Sequence, residues 1–488
     1  MNVIHKINLD ILVSSRYKPE VTTPTLYLKE TVMPSTIFER FINETPISII
    51  ARSAMERIFN PEQLDDWFDT IAKEQYTKDL LFSSVFEIMT QVVCQNRPSV
   101  NAAYQAAKEQ IGVSITSVYN KLNGIESDTS AELVRYAARQ IAPVIEGLSG
   151  TKPSPLPGFR VKLLDGNCIE KSHHRIKELR TLAAGPLPGK SLVVYDPCLS
   201  IPIDVFPCED GHAQERSLLT DVLESVEPGD AWIADRNFCT VNFTTGIVSK
   251  GAFFVIREHK NYPWKPCGPE RYIGDIDTGS VYEQWISVTD NDGNEHRFRR
   301  IRVALNSETR DGEAEIAIIS NIPQKDASAL DIANAYRGRW TIETAFQNLA
   351  EYLNSEINSL GYPRASLFGF CVSLVAYMAL ATVKAALISV HGVDVVENEV
   401  SGYYIADEMS ATHRGMMIAL PEDEWAFIQK LSVNDYLEFI RDLADKIKLS
   451  AYRKHKRGPK KAAPKRKSIK KSPHVSTARI IAERKSGK

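Results

Sequence analysis

The seven cysteines of this 488-residue chain (Cys94, Cys168, Cys198, Cys208, Cys239, Cys267 and Cys371) are scattered, and no two stand two residues apart. That argues against zinc knuckles and against a secreted disulfide framework, so a reducing, cytoplasmic setting is expected. The amino terminus, MNVIHKINLDILVSSRYKPE, lacks a long uncharged apolar run because Lys6 and Asp10 interrupt it, and it does not read as a signal peptide. One stretch, LFGFCVSLVAYMALATV at 367–383, carries no charge, but its 17 residues are at the lower limit for a bilayer span and Lys384 follows at once. It is expected to be a buried core helix, with no membrane partner. No internal repeat suggests a solenoid.

Charge of one sign is scarce only in places. From Arg453 to Lys488 there are 15 Lys+Arg against one acid, Glu483, which leaves 44 basic and 60 acidic groups in the rest. An acidic body with a basic tail follows. The tail is too charged and too poor in apolar residues to pack a core, so it is expected to be disordered until it meets a polyanion, with nucleic acid favoured through counterion release.

The length calls for more than one domain. Residues 1–45, rich in Thr, Pro and Ser, read as irregular; 46–150 read as helical from apolar spacings of three and four. Within them SVNAAYQAAKEQIGVSITSVYNKLNGI reads as a helix-turn-helix broken at Gly112, whose second helix offers Ser114, Thr116, Ser117, Asn120 and Lys121 to a major groove. GTKPSPLPGF marks a boundary. Strands and helices then alternate over 151–258, residues 259–323 alternate with period two as a β-rich insertion, and 324–400, 401–452 and the 453–488 tail complete the chain. The order predicts an α/β fold with helices packed on a central sheet.

Two acids end strands: Asp165 in FRVKLLDGN and Asp235 in DAWIADRNF. Sheets of this kind place their sites at such ends, although DGN and DRN are also good turn formers. A third acid, Glu343, lies in AYRGRWTIETAFQNLAE, four residues after Arg339, where a plain surface ion pair of about 0.3–0.5 kcal/mol is the bland alternative. If the three carboxylates meet, they repel unless a cation neutralises them. With no histidine beside any of them, oxygen donors point to Mg²⁺ or Mn²⁺, and two ions suit in-line phosphoryl transfer. Trp340 is expected in the core.

LLDGN, IADRNF and YRGRWTIE followed by AFQNLAEYLNSE resemble the DDE transposases of bacterial insertion sequences, in the large family numbered four. That family's signature is Tyr, two residues, Arg, three residues, Glu, six residues, Lys; Tyr336, Arg339 and Glu343 fill the first three places and Ala350 replaces the lysine. The resemblance runs from about residue 48 to the tail. It implies a ribonuclease-H-like catalytic core, in parts 151–258 and 324–400, interrupted by the β-rich insertion and flanked by helical N- and C-terminal regions, the first a DNA-end-binding domain. It also implies cut-and-paste transposition, with end hydrolysis followed by strand transfer from a 3′-hydroxyl. Asp165, Asp235 and Glu343 would be catalytic ligands of two metal ions, and Tyr336 and Arg339 phosphate contacts. Arg236, Asn120, Lys121, Trp285, Lys454, Lys456 and Arg457 are further candidates for DNA contact, with Trp264 and Trp285 available to stack on an unpaired base. The implied partners are double-stranded DNA and a second copy of the chain, in the bacterial cytoplasm at the nucleoid, with no small-molecule cofactor. An inactive or repurposed DNA-binding protein and a nuclease that only hydrolyses are the alternative readings.

Overall fold

The computed structural model describes residues 35–75, 79–309, 312–455 and 473–486. The expectation for residues 1–34, and the candidates Lys456 and Arg457, lie outside the described residues. Residues 36–44, expected to be irregular, form a helix, Thr36–Glu44, because Ser35 caps Phe38 N–H and Phe38 anchors the turn against Trp425 at 5.0 Å between ring centres.

The uncharged stretch lies in the helix Pro363–His391, which starts with proline at its first position and ends at Gly392 with φ +84°. It is apolar on every side because it is enclosed on every side: the helices Pro46–Ile58, Phe82–Val93, Ser127–Gly147 and Val433–Asp445 all pack on it. It is the one helix among the described residues long and apolar enough to cross a membrane, and its most apolar window is wholly buried in the protein. The chain leaves the Ser127–Gly147 helix at Gly150, where a Cβ would lie 2.6 Å from the backbone of Ala385, so only glycine lets the linker pass that close. Two helices, Val100–Ile111 and Ile115–Gly124, occupy the stretch read as a helix-turn-helix, joined through Gly112 at φ +67°, the second capped by Ser114.

Twelve strands follow among the described residues: β1 Arg160–Cys168, β2 Gly185–Leu187, β3 Lys190–Asp196, β4 Ile201–Cys208, β5 Asp230–Ala234, β6 Phe253–Arg257, β7 Trp264–Pro266, β8 Arg271–Ile276, β9 Gly279–Thr289, β10 Glu295–Leu305, β11 Glu315–Ser320 and β12 His474–Ser476. Ten of them make one sheet in the order β4-β3-β1-β5-β6-β11-β10-β9-β7, with β8 beside β9. β1, β3 and β4 form an antiparallel meander, and β5 and β6 run parallel to β1. The β-rich insertion is therefore not a separate layer. β11 pairs antiparallel with β6 (Ile318↔Arg257, Ser320↔Val255), so the backbone edge that β6 would otherwise expose is covered. Arg299 of β10, almost fully buried, fastens this extension by bonding Glu283 Oε1 at 2.6 Å and the carbonyls of Ile322 and Ala327 at 2.8 Å each.

The tail also departs from expectation. Residues 473–486 fold: β12 pairs parallel with β2, the helix Thr477–Lys485 follows, and Arg479 Nε donates to Asp210 at 2.8 Å. Ser476 and Thr477 are buried, which gives this short segment an anchor that its composition conceals.

Candidate active site

Strand register sets the two aspartates side by side. Leu164 of β1 pairs with Ala234 of parallel β5, so Asp165 and Asp235 are each the next residue at the carboxyl end of neighbouring strands. Adjacent strands lie about 4.8 Å apart, which brings the carboxylates onto one edge. Ala234 pairs in turn with Ile256 of β6, so Arg257 occupies the same level on the third strand.

Glu343 arrives from a helix. Ser328 and Asp331 form a capping box that starts the helix Ala329–Arg337. The chain then tightens rather than continuing as one helix: Arg339 N–H bonds the carbonyl of Tyr336 and Thr341 N–H that of Gly338, each at 3.0 Å, before the helix Trp340–Tyr352 begins. The fragment expected on a single helix is thus two helices joined by a turn. Arg339 and Glu343 still meet across it at 2.5 Å.

Arg339 is the hub of the site. Its guanidinium, 6% exposed, donates to Asp165 Oδ2 at 3.0 Å and to Glu343 Oε1 at 2.5 Å, and its Nε is buried without a partner. Tyr336, also buried, donates its hydroxyl to Asp235 Oδ1 at 3.3 Å. Burial pushes the Asp165 carboxyl up to about 6; Arg339 and the Gly166 N–H oppose that rise, and the charges of Glu343 and Asp235 add to it. Arg339 is held well above its ordinary range by Tyr336, Asp165 and Glu343, against the cost of burial. Burial and Asp235 likewise raise the Tyr336 phenol.

Asp165 thus feels both other acids, and Arg339 stands between it and Glu343 as their cation. Among the described residues no group of three or more His, Cys, Asp or Glu is disposed to hold a metal ion. The donors, carboxylate oxygens throughout, suit a hard divalent cation; the arrangement suits one only when the guanidinium vacates the space between Asp165 and Glu343.

Other expected residues fall less simply. Tyr336 and Arg339 face carboxylates rather than an open surface. Trp340 is corrected: it is 62% exposed at the start of its helix, because Ile342, Ala345 and Leu349 make the buried stripe. Lys121 is corrected as well, being buried with its ammonium 4.7 Å from the Phe68 ring centre, while Asn120 on the same helix is exposed. Arg236 is half exposed and bonds Glu313 at 2.8 Å. Lys454 is tied to backbone carbonyls of Glu397 and Glu399. Trp285 and Trp264 each already carry an arginine on the ring, Arg297 at 5.5 Å and Arg300 at 5.0 Å.

Two residues escaped the sequence reading. Arg257 was legible in principle as the last residue of an apolar strand, and it pairs with Glu313 at 2.5 Å while lending its charge to Tyr336. Glu215 accepts from Asn237 Nδ2 at 2.5 Å, bracing the turn after Asp235. Its Oε1 lies 2.4 Å from where a Cβ on Gly166 would stand, so a larger residue beside Asp165 would push the Glu215 carboxylate aside. Glu215 opens the 3₁₀ turn Glu215–Leu218 that leads into the helix Leu219–Glu224, and no local pattern there signals a contact with the turn after Asp235.

Comparison with known proteins places the chain's similarities. The Transposase DDE domain family matches residues 189–378, a span that contains Asp235, Tyr336, Arg339 and Glu343, with Asp165 preceding it. A Sinorhizobium fredii (strain NBRC 101917 / NGR234) protein described as a candidate transposase, y4zB, is 28% identical over 167 residues, 34% of this chain and 44% of that relative. The chain thus spans less than half the length of the curated relative it matches. The cryo-EM structure of the piggyBac transposase synaptic complex with hairpin DNA aligns over 83% of this chain and 86% of that one, at 10% identity and a TM-score of 0.31, a likeness too slight to carry an argument.

Proposed function

We propose that the protein is a DDE transposase of the insertion-sequence family numbered four, catalysing cut-and-paste movement of its own element by hydrolysis at the ends and strand transfer from the freed 3′-hydroxyl. The observation that carries this reading is the juxtaposition of Asp165 and Asp235 on neighbouring parallel strand ends, with Glu343 linked to Asp165 through Arg339. The similarity of residues 189–378 to the Transposase DDE domain supports it. The order β4-β3-β1-β5-β6, an antiparallel meander followed by two strands parallel to β1, supports a ribonuclease-H-like core.

Two Mg²⁺ or Mn²⁺ ions held by Asp165, Asp235 and Glu343 would supply activation of the attacking oxygen and charge stabilisation of the leaving one. The chain's own part is positional. Arg339 leaves Asp165 and Glu343 for phosphate oxygens, to which its planar fork is matched. Tyr336 orients the Asp235 carboxylate through its hydroxyl, and Glu215 and Asn237 brace the turn that follows. The helices at 100–124, with Asn120 outward, and the basic tail bind double-stranded DNA, and two copies hold the two ends.

The test is cleavage and joining of a plasmid bearing the element's flanking inverted repeats, in Mg²⁺. Wild type cuts the ends and transfers them, whereas Asp165→Asn, Asp235→Asn and Glu343→Gln each lose about 10²-fold or more, as removal of a charge-stabilising group does. Full activity in any one of these removes that residue from the site. Arg339 already neutralises two of the acids, and Ala350 is exposed on the stripe of Glu343; an inactive DNA-binding protein is therefore the second reading, which binding without cleavage by the wild type would favour. Cutting without joining would indicate a hydrolytic nuclease.

A further inference from the structure

Behind the helix Trp340–Tyr352 lies a cavity of about 510 Å³ that the three acids do not use. At about 100° per residue, Thr341, Ala345, Asn348 and Tyr352 fall on one stripe of this helix and Glu343 and Ala350 on another. The first stripe lines the cavity.

The cavity holds more positive than negative charge. Lys152, Lys384 and Arg337 line it, against a single acid, Glu397. Glu397 is already ion-paired with Lys152 at 2.9 Å, and Arg337 reaches the exposed Asp277 at 3.5 Å. Lys384 projects from the buried core helix, where desolvation draws its pKa down and Glu397 is the acid whose charge supports it. An ammonium sharing its counter-ion in so enclosed a place is costly, and a bound anion relieves that cost. Tyr195, Tyr377 and the exposed ring of Trp340 supply aromatic wall beside these cations. Phosphate beside cations and a ring against aromatics is the pattern by which proteins hold nucleotides.

We propose that this cavity is a nucleotide-binding pocket, in which Lys384, Lys152 and Arg337 take the phosphate and the aromatic wall takes the base. The nucleotide is either a free one or a unit of a single DNA strand led past the Glu343 helix. The second source rests on the transposase reading, and the first does not.

The experiment uses the full chain in EDTA, where no metal-dependent cutting occurs. A short single-stranded oligonucleotide carrying 5-bromodeoxyuridine is cross-linked by light and the labelled tryptic peptide identified. Label is expected on residues 340–364, with the yield falling about tenfold in Lys384→Met, as removal of a charge-assisted hydrogen bond implies, and kept in Lys384→Arg. Asp165→Asn and Glu343→Gln leave the yield unchanged, which separates this pocket from the proposed metal site. Competition by millimolar deoxyuridine monophosphate identifies a free nucleotide as sufficient; competition only by unlabelled strand identifies DNA. Label confined to other peptides, or a yield indifferent to Lys384→Met, overturns the proposal. Should Lys384→Met fail to fold, Lys152→Gln decides in its place: it removes one cation and frees Glu397, so an unchanged yield overturns the proposal equally.

Discussion

Asp165 is a carboxyl group that the fold holds against its preference. Its pKa rises from 3.8 unfolded to about 6 folded, so the folded state binds the proton more tightly. That contribution to stability is complete below the unfolded value and is lost as pH rises through about 6. At pH 7.5 the ionised group is therefore a burden, and Asp165→Asn, which leaves Arg339 paired with Glu343, should stabilise the protein by on the order of 1 kcal/mol while abolishing cleavage. Thermal unfolding followed from pH 7.5 down to pH 4 should show the two proteins converging; a variant less stable at pH 7.5 contradicts this account of Asp165. At this scale the sequence was legible where chemistry and position coincide. Asp165 and Asp235 each end an apolar run, and that placement is local. Trp340 and Lys121 were misread because side-chain direction is decided by packing partners: Ile342, Ala345 and Leu349 claim the buried stripe of one helix, and Phe68 draws the lysine of the other inward.

Between elements, the site depends on how the extension of the sheet is fastened to the helices that follow it. Arg299 joins β10, Glu283 of β9 and the carbonyls just before Ser328, the cap of the first of the two helices. Gln324 donates to the same glutamate at 2.5 Å. Arg299→Ala strands a buried carboxylate and two carbonyls, and should cost about 3–5 kcal/mol in denaturant unfolding, the range for breaking a buried pair. A loss below about 1 kcal/mol would show that the fastening lies elsewhere. The strands themselves were readable from alternation and from the Asp-Gly turn at 292–293. Their continuity with the core was not, because β6 meets β11 across some sixty intervening residues and nothing local in either strand encodes the pairing. The turn between Arg337 and Trp340 was hidden for a different reason: Gly338 and Arg339 keep helical dihedral angles, so only the hydrogen bonds reveal the change.

For the whole molecule, the separation of charge is the feature most plain in the sequence, with 15 basic groups against one acid after residue 452. Composition misled about 473–486, where β12 and one helix find a seat on β2 and Asp210, and the expectation for 456–472 lies outside the described residues. Deleting the tail outright would remove that seat as well. Replacing Lys460, Lys461, Lys465, Arg466 and Lys467 by glutamine leaves it intact and should reduce the slope of log binding constant against log salt for duplex DNA by about 0.9 for each phosphate that is no longer neutralised. An unaltered slope would mean that these residues do not touch DNA. The central claim is that Asp165, Asp235 and Glu343, the first and last now bridged by Arg339, converge to hold divalent ions. Its most direct test is to bind Fe²⁺ to the intact protein, with and without DNA, generate hydroxyl radicals with peroxide and ascorbate, and map the backbone breaks. The account predicts breaks beside all three residues, suppressed by excess Mg²⁺ and strengthened by DNA that draws Arg339 away; breaks at one of them alone, or at none, would contradict it.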